Sequence, residues 1–83
     1  MSEQSTMEAL ARLVPHGSRV LDLGCGNGAM LSYLQRERGC TGYGVEIDDA
    51  NVLACVQRGV DVIPLNLDEG LAMFGDTSFD VVL

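Results

Sequence analysis

Apolar residues along this chain repeat with one spacing, then another. Met7, Leu10, Ala11 and Val14 fall at i, i+3, i+4 and i+7, which is one face of a helix. Ser5-Thr6-Met7-Glu8 fits a capping box, with Ser5 as N-cap and Glu8 reaching back to it, so the pattern predicts a helix over 5–14. Pro15-His16-Gly17 closes it. Arg19 to Leu23 is a nearly continuous apolar run and reads as a strand covered on both faces. Gly24 to Gly28 holds too many glycines for regular structure and is a tight turn. Ala29 to Arg38 follows as a helix with Met30, Leu31 and Leu34 as its stripe and Gly39 as its terminator. Gly42 to Ile47 is a second strand. Asp48 or Asp49 caps a helix over 50–58, with Val52, Leu53 and Val56 facing inward and Gly59 ending it. Val60 to Leu65 is a third strand, and Pro64 marks it as an edge. Asn66 to Thr77 reads as a loop with one helical turn at Leu71-Ala72-Met73-Phe74. Ser78 to Leu83 begins a fourth strand, within which the chain ends.

Strands alternating with helices of about ten residues imply right-handed crossovers and a parallel sheet. The expected class is α/β, in one domain over 1–83, with no repeat and no linker. Composition supports a globular chain, since 47% of the residues are hydrophobic and 20% charged. The five cations are all arginine and face twelve acidic residues, for a net charge of −7. That argues against a nucleic-acid surface and against docking on anionic membranes. There is no apolar stretch near the ~20 residues of a membrane span, and no signal-like N-terminus. Cys25, Cys40 and Cys55 are odd in number and form no Cys-x-x-Cys pair, so they read as free thiols in a reducing cytoplasm, without a metal.

The candidate chemistry lies in Val20-Leu21-Asp22-Leu23-Gly24-Cys25-Gly26-Asn27-Gly28. Glycines at alternate positions let a ligand lie against main chain, and the helix that follows presents N–H groups to it. Glycine spacing alone also satisfies the dinucleotide pattern, through Gly24-x-Gly26-x-x-Ala29. Asp22 separates the two ligands. A carboxylate at the mouth of the turn repels a pyrophosphate and attracts a ligand bearing an ammonium and a sulfonium, as S-adenosylmethionine does. Asp22 also suits a plainer role, bonding the turn's backbone. Glu46 ends the second strand, where a carboxylate accepts hydrogen bonds from both ribose hydroxyls; this fits NAD as well as S-adenosylmethionine. Asn66-Leu67-Asp68 follows the third strand on the same edge, where polar groups meet a base, although Asp68 serves equally as a helix cap. His16 reads as a turn residue, Tyr33 and Tyr43 as packing, and Cys25 as a side chain small enough for the turn. Phe79 reads as core, and Asp80 as a partner for backbone. No general base is evident.

The glycine motif, Gly42-Tyr43-Gly44-Val45-Glu46-Ile47-Asp48, and Leu67-Asp68-Glu69-Gly70-Leu71 together resemble the N-terminal part of a class I S-adenosylmethionine-dependent methyltransferase. More narrowly, they resemble the methionine biosynthesis protein MetW family. The resemblance runs from about residue 7 to residue 83. It implies a Rossmann-like three-layer sandwich with partial strand order 3-2-1-4. It implies a cofactor set of Asp22, Gly24, Cys25, Gly26, Gly28, Glu46, Ile47, Asn66, Leu67 and Asp68. It further implies a role in methionine biosynthesis beside homoserine O-acyltransferase. Two rivals stand beside that reading: a non-enzymatic partner subunit of the acyltransferase, and an NAD(P)-binding domain. With the fourth strand on an edge, 78–83 is expected to support self-association, and the 83 residues alone are expected to be inactive.

Overall fold

The computed structural model describes residues 2–75 and 79–83. Eight elements follow one another: α1 (Glu3–Ala11), β1 (Arg19–Leu23), α2 (Ala29–Arg38), β2 (Thr41–Val45), α3 (Asp49–Gln57), β3 (Val62–Ile63), α4 (Leu67–Phe74) and β4 (Val81–Val82). The sheet order is β3-β2-β1-β4, and every pairing is parallel. Val20 and Leu21 are both buried, on opposite faces of β1, which explains its unbroken apolar run. On one face Val20 packs with Ala11 and Val14 near α1, with Leu31 and Leu34 of α2, and with Cys55 of α3. On the other, Leu21 and Val45 pack with Phe74 of α4, and Phe79 closes the cluster. Helices thus lie on both faces of the sheet, in three layers.

Five expectations need correcting. The helix expected over 5–14 starts and ends earlier. Ser2, not Ser5, is the N-cap, because its Oγ accepts from the Ser5 N–H at 3.1 Å. Its last carbonyls accept from the Arg12, Leu13 and Val14 N–H groups, and beyond its end Arg38 donates twice to the Val14 carbonyl, at 3.0 and 2.8 Å. The inward face of α3 carries Cys55, whereas Leu53 and Val56 are 58% and 61% exposed. That phase is set by Gly28, where a Cβ would come within 2.9 Å of Cys55 Sγ, so only a small residue fits between α3 and the turn.

The loop expected over 66–77 is mostly helix. Asn66, rather than Asp68, caps α4 in a full capping box with Glu69. Gly70 lies mid-helix, which lowers intrinsic helicity by about 1 kcal/mol. It is there for packing: a Cβ at this position would come within 2.9 Å of Val45 Cγ1. β3 and β4 are each two residues long, shorter than expected. Thr77 and Ser78, expected to end the loop and open the fourth strand, lie outside the described residues. Asp80 bonds backbone as expected, accepting from the Arg19 N–H at 2.8 Å.

Candidate functional site

In a parallel sheet of this order the strand order reverses at β1, and ligands favour the carboxyl ends of the strands at such a point. The Gly24–Gly28 turn lies there. Its geometry is fixed by the end of β2: the Gly24 and Cys25 N–H groups both donate to the Val45 carbonyl, at 2.8 and 3.0 Å. Gly24 and Gly26 adopt left-handed conformations, with φ of +76° and +58°. A Cβ on either would meet nothing within 4 Å, so these two glycines border open space. Gly28 is different, being the close-packing contact with Cys55 described above.

Glu46 leaves the end of β2 and turns back to the loop. Its Oε1 accepts from the Gly26 N–H at 2.9 Å and its Oε2 from the Asp48 N–H at 3.0 Å. These bonds, led by that from Asp48, hold its carboxyl below the usual value, against a smaller effect of desolvation. Each oxygen keeps a further lone pair. Asp22 is buried near the end of β1, at the base of the turn. Burial pushes its carboxyl above the ordinary value, and the Glu46 charge adds to the effect. Neither a hydrogen bond nor a cation offsets these effects among the described residues, and no described side-chain oxygen is both sealed from solvent and unpaired, so the Asp22 carboxylate keeps access to solvent at the turn rather than bonding its backbone. The turn's N–H groups are also spoken for. Gly28 donates to the Cys25 carbonyl at 3.2 Å, and Ala29 to Asn27 Oδ1 at 3.0 Å. The expected row of free donors facing an anion is therefore largely absent among the described residues.

Two concavities meet at Gly24. One, of about 250 Å³, runs from Leu23 and Gly24 past Val45, Glu46 and Ile47 to Leu65, Asn66 and Leu67. The other, of about 410 Å³, follows the turn from Gly24 to Asn27 beneath Met7 and Leu10 of α1. Of the expected set they bring together Gly24, Cys25, Gly26, Glu46, Ile47, Asn66 and Leu67. Asp22 lies buried at the base of the turn, Gly28 lies behind it, and Asp68 is exposed on the first turn of α4. The Cys25 thiol points inward, 3.7 Å from Cys55 Sγ, and burial and that neighbour push it up to about 12. It is packing, not a nucleophile. Sequence reasoning placed Met7 and Leu10 on one face of a helix without bringing that face to the turn, which no local signal indicates. Leu65 was legible as the residue at the carboxyl end of the third strand. The described residues contain no cluster of three or more metal-ligating side chains.

A parallel 3-2-1-4 sheet with helices on both faces and an acid-flanked glycine turn matches the class I methyltransferase fold, and solved structures of that fold superpose on it. An S-adenosylmethionine-dependent methyltransferase from Archaeoglobus fulgidus superposes with a TM-score of 0.75 at 30% identity, over 98% of this chain and 37% of that one. A second, from Thiobacillus denitrificans in complex with S-adenosyl-L-homocysteine, gives 0.62 at 26% identity, over 94% of this chain and 27% of that one. Within this class the chain belongs to the methionine biosynthesis protein MetW family, which it matches over residues 4–83. It is 40% identical, over 92% of its length, to the bifunctional methionine biosynthesis protein MetXA/MetW of Rhodopirellula baltica, of which it spans 14%. No described helix is long and apolar enough to cross a membrane.

Proposed function

We propose that this chain binds S-adenosylmethionine across the two concavities, as the cofactor-binding part of a MetW-type, methyltransferase-like protein. The observation that supports this best is the pair of carboxylates at the turn, Glu46 in the cleft wall and Asp22 close enough behind it to feel its charge, where the N–H groups of the turn are mostly bonded internally. Such a crook favours a cation and offers little to a pyrophosphate, which disfavours the NAD(P) reading. Glu46, fixed by two backbone bonds, accepts from the ribose hydroxyls. Ile47 and Leu67, both largely exposed on the cleft rim, flank the base. Gly24 and Gly26 give the methionyl portion access to the main chain. When bound, the cofactor supplies a methyl group activated on a sulfonium; the residues of this chain bind and orient it. Calorimetry with S-adenosylmethionine and with NAD tests the reading. Binding of the first alone supports it, and preferential binding of NAD overturns it.

The same family membership supports a second reading, in which the fold acts beside homoserine O-acyltransferase without transferring methyl groups. The bifunctional MetXA/MetW relative favours an association of this kind. Pull-down of the acyltransferase by the Asp22→Asn variant, if it equals that by the parent chain, separates partnership from cofactor binding.

A further inference from the structure

Two of the three cysteines meet behind the glycine turn. Cys25 Sγ lies 3.7 Å from Cys55 Sγ, although the two residues are 30 positions apart in the chain. Cys55 is fully buried on α3, and its thiol donates to the Gly26 carbonyl at 3.2 Å. Cys25 is the more open of the two, 9% exposed against 0%, and it borders the concavity that follows the turn beneath α1. Gly44 on β2 makes room for its sulfur, since a Cβ there would collide with it. The third thiol has different neighbours: Cys40 Sγ faces the Pro15 and Arg38 carbonyls, at 4.0 and 3.9 Å.

We infer that Cys25 and Cys55 form an oxidant-sensitive pair, in which hydrogen peroxide joins the two sulfurs and draws the glycine turn away from its ligand. The Cys25 thiolate attacks one peroxide oxygen and the O–O bond breaks; a sulfenic acid forms at Cys25, and the departing hydroxide leaves as water with the Cys25 proton. The Cys55 sulfur then attacks the Cys25 sulfur, the S–OH bond breaks, and a second water leaves with the Cys55 proton. Two thiols lose two electrons in all, and one peroxide is reduced to two waters. A disulfide is about 2 Å long, so the sulfurs close by about 1.7 Å. Cys55 is held on α3 against Gly28, where even a Cβ would stand 2.9 Å from its sulfur, whereas Cys25 sits between the left-handed Gly24 and Gly26. The movement therefore falls on the turn. The Gly26 N–H, which donates to Glu46 Oε1 at 2.9 Å, moves with it, and the Gly26 carbonyl loses the Cys55 donor. At rest the pair is slow to react. Burial and the neighbouring thiol push Cys25 up to about 12, so the thiolate that starts the reaction is scarce at neutral pH and more plentiful as pH rises. The cross-link follows from the sulfur contact, and its effect on a ligand rests on the cofactor reading given above.

The test treats the 83-residue chain with hydrogen peroxide at mildly alkaline pH, with and without S-adenosylhomocysteine, and maps its cysteines by mass spectrometry. Cleavage after Glu46 separates Cys40 from Cys55, so the partners are identified without any substitution. The expected product joins Cys25 to Cys55, leaves Cys40 a thiol, and returns to three thiols on reduction. S-adenosylhomocysteine at nine-tenths occupancy is expected to slow its formation roughly tenfold, because only the free chain reacts. In calorimetry the disulfide form should bind that ligand about tenfold more weakly, the scale of one misplaced hydrogen bond to a carboxylate. Cys55→Ala should bind it as the parent does and keep that affinity after peroxide treatment and reduction of any bond between chains. A map in which Cys25 and Cys55 stay thiols, pair elsewhere or pass to sulfinic acids overturns the inference. So does a disulfide form that binds as tightly as the reduced chain, since the turn would not have moved. A reduced chain that binds no S-adenosylhomocysteine overturns the cofactor reading instead, and the map still decides the cross-link.

Discussion

Two carboxylates in one small site have opposite consequences for stability, because their surroundings differ. Asp22 is held above its ordinary value by burial and by Glu46, so the folded chain binds its proton more tightly than the unfolded chain does. Stability therefore falls as pH rises through the window between the two values, and is regained as pH falls. Glu46 is held below its ordinary value by the Asp48 and Gly26 N–H groups, so its contribution is present at neutral pH and lost on acidification. Asp22→Asn should accordingly raise the melting temperature at neutral pH, with an advantage over the parent that shrinks as pH is lowered. Thermal melts across a pH series check this, and an advantage that grows on acidification would contradict the assignment. The same variant should bind S-adenosylmethionine about tenfold more weakly, because it removes one charged contact worth ~1.5 kcal/mol or more. Glu46→Ala should weaken the same ligand by about 2–3 kcal/mol through loss of the ribose contacts. Calorimetry reads both effects, and unchanged affinity in Glu46→Ala would remove this residue from the site.

The elements were legible wherever one strong local signal governs them. β1, the glycine turn and α2 lie where the apolar run, the alternate glycines and Gly39 place them, because a doubly covered strand and a left-handed terminator leave little choice. The cap of α1 was misread because Ser2 and Ser5 offer the same chemistry one turn apart. The phase of α3 was misread because its larger apolar residues, Leu53 and Val56, are exposed, and the small Cys55 is buried for contact with Gly28. Gly70 concealed α4, since its packing reason is a contact with Val45 far away in sequence. Of the candidate site, Gly24, Glu46 and Asn66 could be read from strand ends, and the Asn66-x-x-Glu69 spacing carries the capping box that Asp68, as an alternative cap, obscured. The two kinds of glycine can be told apart by substitution. Gly24→Ala should cost about 1–2 kcal/mol, the strain of a left-handed residue projecting into open space. Gly28→Ala carries the same strain, at φ +82°, and adds overpacking against Cys55 and Val60, for about 2–5 kcal/mol in all. Denaturant unfolding measures both, and equal losses would refute the division of the turn into a ligand side and a packing side.

At the scale of the whole molecule, stability and ligand binding are one problem. Eighty-three residues bury only a little over ~60% of the surface their unfolded chain exposes. The sheet here has four strands, of which the two edge strands are two residues long. The candidate cleft draws on β1, β2, α3 and α4 at once: Gly24 follows β1, Glu46 follows β2, Asn51 lies on α3, and Asn66 caps α4. A ligand that spans these elements ties them together in the folded chain and not in the unfolded one. Binding only to the folded chain at one hundred times the dissociation constant adds ~2.7 kcal/mol. For a domain of this size each kilocalorie moves the midpoint by roughly 4–8 °C. S-adenosylhomocysteine at that ratio should therefore raise the melting temperature by roughly 10–20 °C, whereas NAD at the same concentration should move it little. On the proposed reading the two ligands share a ribose for Glu46 and an adenine for the rim at Ile47 and Leu67, so the difference between them isolates the turn itself. The pyrophosphate meets the Asp22 charge and a set of N–H groups already bonded; the ammonium of the homocysteine compound meets the same charge with opposite sign. Calorimetric scans with each ligand settle the comparison, and a larger upward shift with NAD would show that the charge at Asp22 does not choose the ligand.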